Sequence, residues 1–84
     1  MKPIALSAHA ERRIRERDLS MSWVEAAVRA PLWVETDSKD AMVQRRFRPI
    51  SQFGGRILRV ACIETIGEIR IISAMFDRHA RRKP

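Results

Sequence analysis

The fold is decided by Arg56-Ile57-Leu58-Arg59-Val60-Ala61-Cys62-Ile63, followed by Glu64-Thr65-Ile66-Gly67 and then Glu68-Ile69-Arg70-Ile71-Ile72-Ser73-Ala74-Met75. Both flanking runs have strand length and are rich in Ile, Val and Leu, and the four residues between them can close a hairpin. The pattern predicts two antiparallel strands, and the sheet extends backwards from them. Phe53-Gly54-Gly55 reads as a turn, and Met42 to about Arg48 as a strand ended by Pro49. Leu32 to Thr36 reads as one more strand, followed by the polar turn Asp37-Ser38-Lys39-Asp40.

Upstream of Pro31 the apolar period becomes helical. Ser7 suits an N-cap, Glu11 falls in the first turns, and the helix runs to about Arg17 before Asp18-Leu19-Ser20 breaks it. Ser22 and Glu25 have capping-box spacing for a second helix, Trp23 to Arg29, whose core face would carry Met21, Val24, Ala27 and Val28. Lys2 to Leu6 fits a short edge strand, where Pro3 forfeits no ladder bond. Asp77 can cap a short basic helix from Arg78 to Lys83. The expected fold is therefore a single α+β domain spanning residues 1–84. Two N-terminal helices pack on one face of an antiparallel sheet of about four strands, and a short basic C-terminal helix follows.

Eighty-four residues are too few for two domains or a deep enclosed cofactor cavity, so no cofactor is expected. The longest stretch without a charged residue, Pro3 to Ala10, is far too short for a membrane span, and the reading is a soluble cytoplasmic domain without membrane partners. Cys62, the sole cysteine, lies in an apolar strand and reads as a buried, inert thiol. His9 and His79 lie far apart and belong to no local ligand cluster, so no metal site is expected. Gly54-Gly55 joins two strands, which excludes a phosphate-binding P-loop, and Tyr is absent. Trp23 and Trp33 occupy core-compatible positions and read as packing residues rather than base-stacking platforms.

Net charge is +7, and fourteen of the seventeen cations are Arg. Such a charge attracts polyanions or an acidic protein, and the guanidinium fork suits bidentate phosphate contact. A codon bias towards Arg would produce the same composition, so position must decide. Strand alternation offers a test. If Phe47, Ile69 and Ile71 face the helices, then Arg46, Arg48 and Arg70 converge on the open face, flanked by Arg56 and Arg59. Arg45 shares the parity of Phe47 and fits this arrangement poorly. A wet sheet face carries polar residues in any case, but several uncompensated arginines on it point to anion binding. His9, Arg13 and Arg17 share one face of the first helix, although Glu11 and Glu16 can pair with neighbouring arginines there. Arg78, His79 and Arg81 form a tail able to clamp phosphate, or simply a solvated end.

Two resemblances emerge. The run Ser7-Ala8-His9-Ala10-Glu11-Arg12-Arg13-Ile14-Arg15-Glu16-Arg17-Asp18-Leu19-Ser20 resembles the opening of a family of small, uncharacterised bacterial domains. Gly55-Arg56-Ile57-Leu58-Arg59-Val60 and Ile69-Arg70-Ile71-Ile72-Ser73-Ala74 resemble the final hairpin of the BrnT toxins. Both groups are similar to RelE-like toxins, with two helices on a curved antiparallel sheet.

The resemblance implies the toxin of a type II toxin–antitoxin pair, a metal-independent endoribonuclease. Its partners would be an acidic cognate antitoxin and RNA, including ribosome-bound mRNA. In that chemistry the ribose 2′-hydroxyl attacks the adjacent phosphate while the protein stabilises the phosphorane and moves two protons. Arg46 and Arg70 match the basic strand positions and are implied to stabilise the transition state. Position adds Arg48 and Arg59 in support, and His79 for proton transfer. Arg78, Arg81, His9 and Arg13 complete the expected RNA-binding set. Two departures stand out: Phe47 occupies a position where BrnT-like chains tend to carry Trp or Tyr, and Met75 replaces the Arg expected after Ser73-Ala74. The second removes a cation from the implied site, and the alternative is a non-catalytic module that binds nucleic acid or protein.

Overall fold

The computed structural model describes residues 1–82. Strand β1 (Ile4–Leu6) leads into helices α1 (Ala8–Glu16) and α2 (Met21–Arg29). Strands β2 (Trp33–Thr36), β3 (Gln44–Ile50), β4 (Arg56–Glu64) and β5 (Ile69–Phe76) follow, with a single 3₁₀ turn at Ser51–Phe53. The sheet has five strands in the order β1-β5-β4-β3-β2. Both helices lie on the same face, α1 over β5 and β1, α2 over β3 and β4.

The expected sheet of about four antiparallel strands is thus a five-stranded mixed one, because β1 joins its edge parallel to β5, pairing Ile4 with Ile69 and Leu6 with Ile71. That pairing is non-local and buries Ile4 and Leu6 against the core. The expected C-terminal helix is also corrected. Asp77 Oδ1 accepts the His79 N–H (2.9 Å), but a turn at Arg78 and His79 follows and residues 80–82 are irregular; Lys83 lies outside the described residues. A segment this short cannot recover the cost of helix nucleation.

Local chemistry explains both helices. Ser7 Oγ accepts the Ala10 N–H (3.0 Å) at the start of α1. The end of α1 is a Schellman motif: Leu19 N–H donates to Ile14 O (3.0 Å) and Asp18 N–H to Arg15 O (3.2 Å), with Asp18 at φ +52°. Leu19 and Ile14, the two apolar members of the motif, are both buried. Helix α2 begins at Met21 with Ser20 as its cap residue, and the Ser22–Glu25 capping box does not form. Ser22 instead shares a hydrogen bond with Ser20, and Glu25 pairs with Arg29. Val24, Ala27 and Val28 enter the core as expected, whereas Met21 is exposed.

The core lies between helices and sheet, with Leu58, Val60 and Cys62 of β4 at its centre. Burial pushes the Cys62 thiol up, in keeping with an inert role. Strand β3 runs through Pro49 instead of ending there. Beyond Phe47 it pairs only with β4, so Pro49 sits on what is locally an edge.

One irregularity redirects the end of the chain. Ala61 pairs with Ser73 and Cys62 with Ile71, which leaves Ile72 as an extra residue on β5. Before this bulge Ile69 and Ile71 face the core; after it Ala74 does, so the parity is inverted. Met75 therefore faces away from the helices, in register with Arg59.

Candidate nucleic-acid interface

Paired residues on adjacent strands point to the same side of a sheet. Trp33, Phe47, Arg59 and Met75 stand in register across β2, β3, β4 and β5, and Glu35, Arg45, Ala61 and Ser73 form the next row. Both rows lie on the face opposite the helices, because Leu58, Val60 and Cys62 occupy the alternate positions of β4 in the core.

Two aspartates organise the cations on this face. Asp37, one residue past β2, accepts Nε (3.1 Å) and Nη2 (2.7 Å) of Arg45 on Oδ1. Its Oδ2 accepts the backbone N–H groups of Lys39 (2.9 Å) and Asp40 (3.1 Å). The Lys39 N–H and then the Arg45 guanidinium hold the Asp37 carboxyl below its ordinary value. Asp77, one residue past β5, repeats the device. Its Oδ2 pairs with Arg59 Nη1 (3.1 Å) while Oδ1 caps the turn at His79. Arg59 Nη2 also donates to Met75 Sδ (2.8 Å), at the position where the BrnT pattern has Arg.

The turn after Asp77 brings the tail to the open face, where it borders an open cavity of about 290 Å³. Arg45, Arg59, Arg81 and His79 line it, with Glu35 and Asp77. Among the described residues Arg81 has no carboxylate partner. Guanidinium groups at several points of one concave surface can grip a phosphodiester, and an imidazole and a carboxylate beside them can exchange protons with it.

The expected site residues divide. Arg59, His79 and Arg81 meet in this cavity. Arg70 shares the open face but stands at the far end of β5, paired with Glu68 (3.1 Å). Arg78 lines a separate opening of about 550 Å³ beside Arg56 and Phe76. Arg56 stacks over the Phe53 ring, 4.7 Å from its centroid, at the margin of an aromatic cluster with Trp23 and Phe76.

The convergence of Arg46 and Arg48 with Arg70 is corrected, since both lie on the helix side. Arg46, 8% exposed, donates to Val28 O (2.9 Å) at the end of α2, to Gln44 Oε1 and to Glu64 Oε1 (2.6 Å). Arg48 donates to Ala30 O (2.7 Å). His9 and Arg13 lie on α1, behind the sheet, with Arg13 paired to Glu16 (3.1 Å). Arg45, Glu35 and Asp77 are site-lining residues that the parity argument missed. The signal was Arg45 itself, whose shared parity with Phe47 is explained once Phe47 is taken off the core face.

Among the described residues no three His, Cys, Asp or Glu side chains cluster as a metal ion would require, and no helix is long and apolar enough to cross a membrane. The fold and site define a small α+β domain with a basic groove on an uncovered sheet face. Residues 6–76 match the family described as Domain of unknown function (DUF4258), and the chain belongs to it. The match includes Arg45 and Arg59 and stops one residue before Asp77. No curated protein and no solved structure matches the chain.

Proposed function

We propose that this protein is a cytoplasmic ribonuclease toxin of a type II toxin–antitoxin pair, cleaving mRNA in the open-face groove and silenced by an acidic antitoxin that covers it. The observation that carries the reading is the convergence of Arg45, Arg59, Arg81, His79 and Glu35 on one cavity. The resemblance of β4 and β5 to the BrnT hairpin supports it. In this reading the 2′-oxygen bonds to phosphorus as the P–O5′ bond breaks, leaving a 2′,3′-cyclic phosphate and a 5′-hydroxyl. Glu35 takes the 2′-hydroxyl proton and His79 supplies one to O5′, while Arg59 and Arg81 stabilise the phosphorane. Arg46 has no part in it, because its guanidinium is engaged by Val28, Gln44 and Glu64.

A second reading, a non-catalytic RNA-binding module of the same fold, is favoured by Met75 and by the pairing of Arg59 with Asp77. Mapping of RNA 5′ ends after brief induction without a partner separates the two. New ends with growth arrest, both lost in His79→Ala, support the ribonuclease. Growth arrest without new ends supports the binding module, and the absence of both effects refutes the toxin reading.

A further inference from the structure

We infer that the outer face of the Trp33 indole is a stacking platform for a base of single-stranded RNA, adjoining the phosphate-binding arginines; this rests on the RNA-binding reading above. Phe47 is 3% exposed yet lies outside the core cluster, on the sheet face that the helices leave uncovered. Trp33 covers it: the two rings are stacked with centroids 4.6 Å apart and planes within 5°. The register places Phe47 between Trp33 and Arg59, so the indole is the outermost member of the row.

Among the described residues no strand pairs with β2 on its outer side. The Trp33 ring is held in place, because Nε1 donates to Glu35 Oε2 (3.1 Å) two residues along the same strand face. With one face against Phe47 and the polar edge bonded to Glu35, the face left to the half-buried indole is the one turned to the sheet margin. Trp23 differs: it packs against the core in tilted and edge-on contacts with Phe53 and Phe76.

A fixed aromatic plane accepts the π-face of any unpaired base, whereas bases inside a duplex present no free face. Arg59 stands two strands away in the same row, roughly 10 Å at ordinary strand spacing, a separation that a di- or trinucleotide bridges. The ligand is therefore a single strand with one base on Trp33 and a phosphate one or two nucleotides along at Arg59 and Arg45. Sequence preference at the stacked position should be weak, because stacking alone reads no base edge.

Two probes test this, a short single-stranded oligoribonucleotide and the same ribose-phosphate chain without bases. In Trp23→Phe, Trp33 is the sole tryptophan, and its fluorescence should be quenched by the oligoribonucleotide and not by the abasic chain. Trp33→Leu should weaken oligoribonucleotide binding about tenfold or more and leave abasic binding unchanged, and Trp33→Phe should restore most of the loss. Equal quenching by both probes, or unchanged binding in Trp33→Leu while Arg59→Ala weakens it, overturns the platform and leaves the RNA-binding reading standing. Failure of the wild-type protein to bind either probe overturns both.

Discussion

Arg45 and Arg46 are neighbours in sequence and stand on opposite faces of the sheet, where their guanidinium groups meet different partners. On the helix side Arg46, Arg48 and Arg17 donate to the backbone carbonyls of Val28, Ala30 and Ala74. The first two satisfy carbonyls at and just beyond the C-terminal end of α2, which no later residue of the helix can reach. On the open side Arg45 and Arg59 meet carboxylates that are themselves clamped by turns. Arg46, the buried one of the three, cannot leave without orphaning the Val28 carbonyl and its second partner, Glu64. A carboxylate-bonded arginine at a cavity can exchange one oxyanion for another, and a phosphate oxygen offers the same geometry.

The sharpest test of this contrast is a pair of variants. Arg59→Ala should lower RNA cleavage about 100-fold or more and move the urea midpoint little. Arg46→Ala should do the reverse, costing about 2–3 kcal/mol in urea unfolding while the folded fraction keeps its activity. Loss of activity in a fully stable Arg46→Ala would break the comparison.

The helix-side network also carries a pH signature. Hydrogen bonds from Lys2 (2.8 Å) and then Arg46 lower the Glu64 carboxyl to about 2 from its ordinary 4.5. A folded-state value depressed in this way stabilises the protein above the unfolded value and loses its effect as pH falls. The urea midpoint should therefore drop between about pH 4.5 and 2, and Glu64→Gln should flatten that part of the curve.

On the open face Asp77→Asn retains an oxygen to cap the turn and removes the charge that competes for Arg59. Binding of single-stranded RNA should tighten by roughly 2- to 5-fold and its salt dependence steepen, as fluorescence titrations at several ionic strengths would show. Weakened binding would mean that the aspartate positions Arg59 for the phosphate rather than competing for it. The smallest effect belongs to neither face. Asp18→Gly should relieve the left-handed residue that ends α1 and raise stability by a few tenths to about 1 kcal/mol in thermal unfolding.

The hairpin and the helices were legible because their signals are local: apolar runs around a short loop, Ser7 before an apolar period, and a break at Asp18. What was illegible depends on partners distant in sequence. The facing of β3 could not be read from Gln44 to Ile50, since each parity holds both charged and apolar residues. It is set by β4, whose Leu58, Val60 and Cys62 pair with Arg48, Arg46 and Gln44 and draw those residues to the helix side. The parallel pairing of β1 likewise depends on a strand more than sixty residues away. Trp33 was read as packing and does pack, on Phe47, but no local signal shows that this pair lies on the face away from the core.

The extra residue at Ile72 makes register, rather than side-chain identity, the variable that the last strand cannot change. Were β5 to run on from Ile71 without the bulge, every later residue would keep its chemistry and turn by half a strand period, so that Ala74 and Phe76 would face outward and Met75 inward. Asp77 would then leave the sheet on the helix side, and the tail that lines the groove would depart in the wrong direction. Substitutions along Ile72 to Phe76 act one position at a time. A one-residue shift in register acts on the whole remaining chain at once, which makes this short stretch a ruler for where the protein ends its sheet and begins its site.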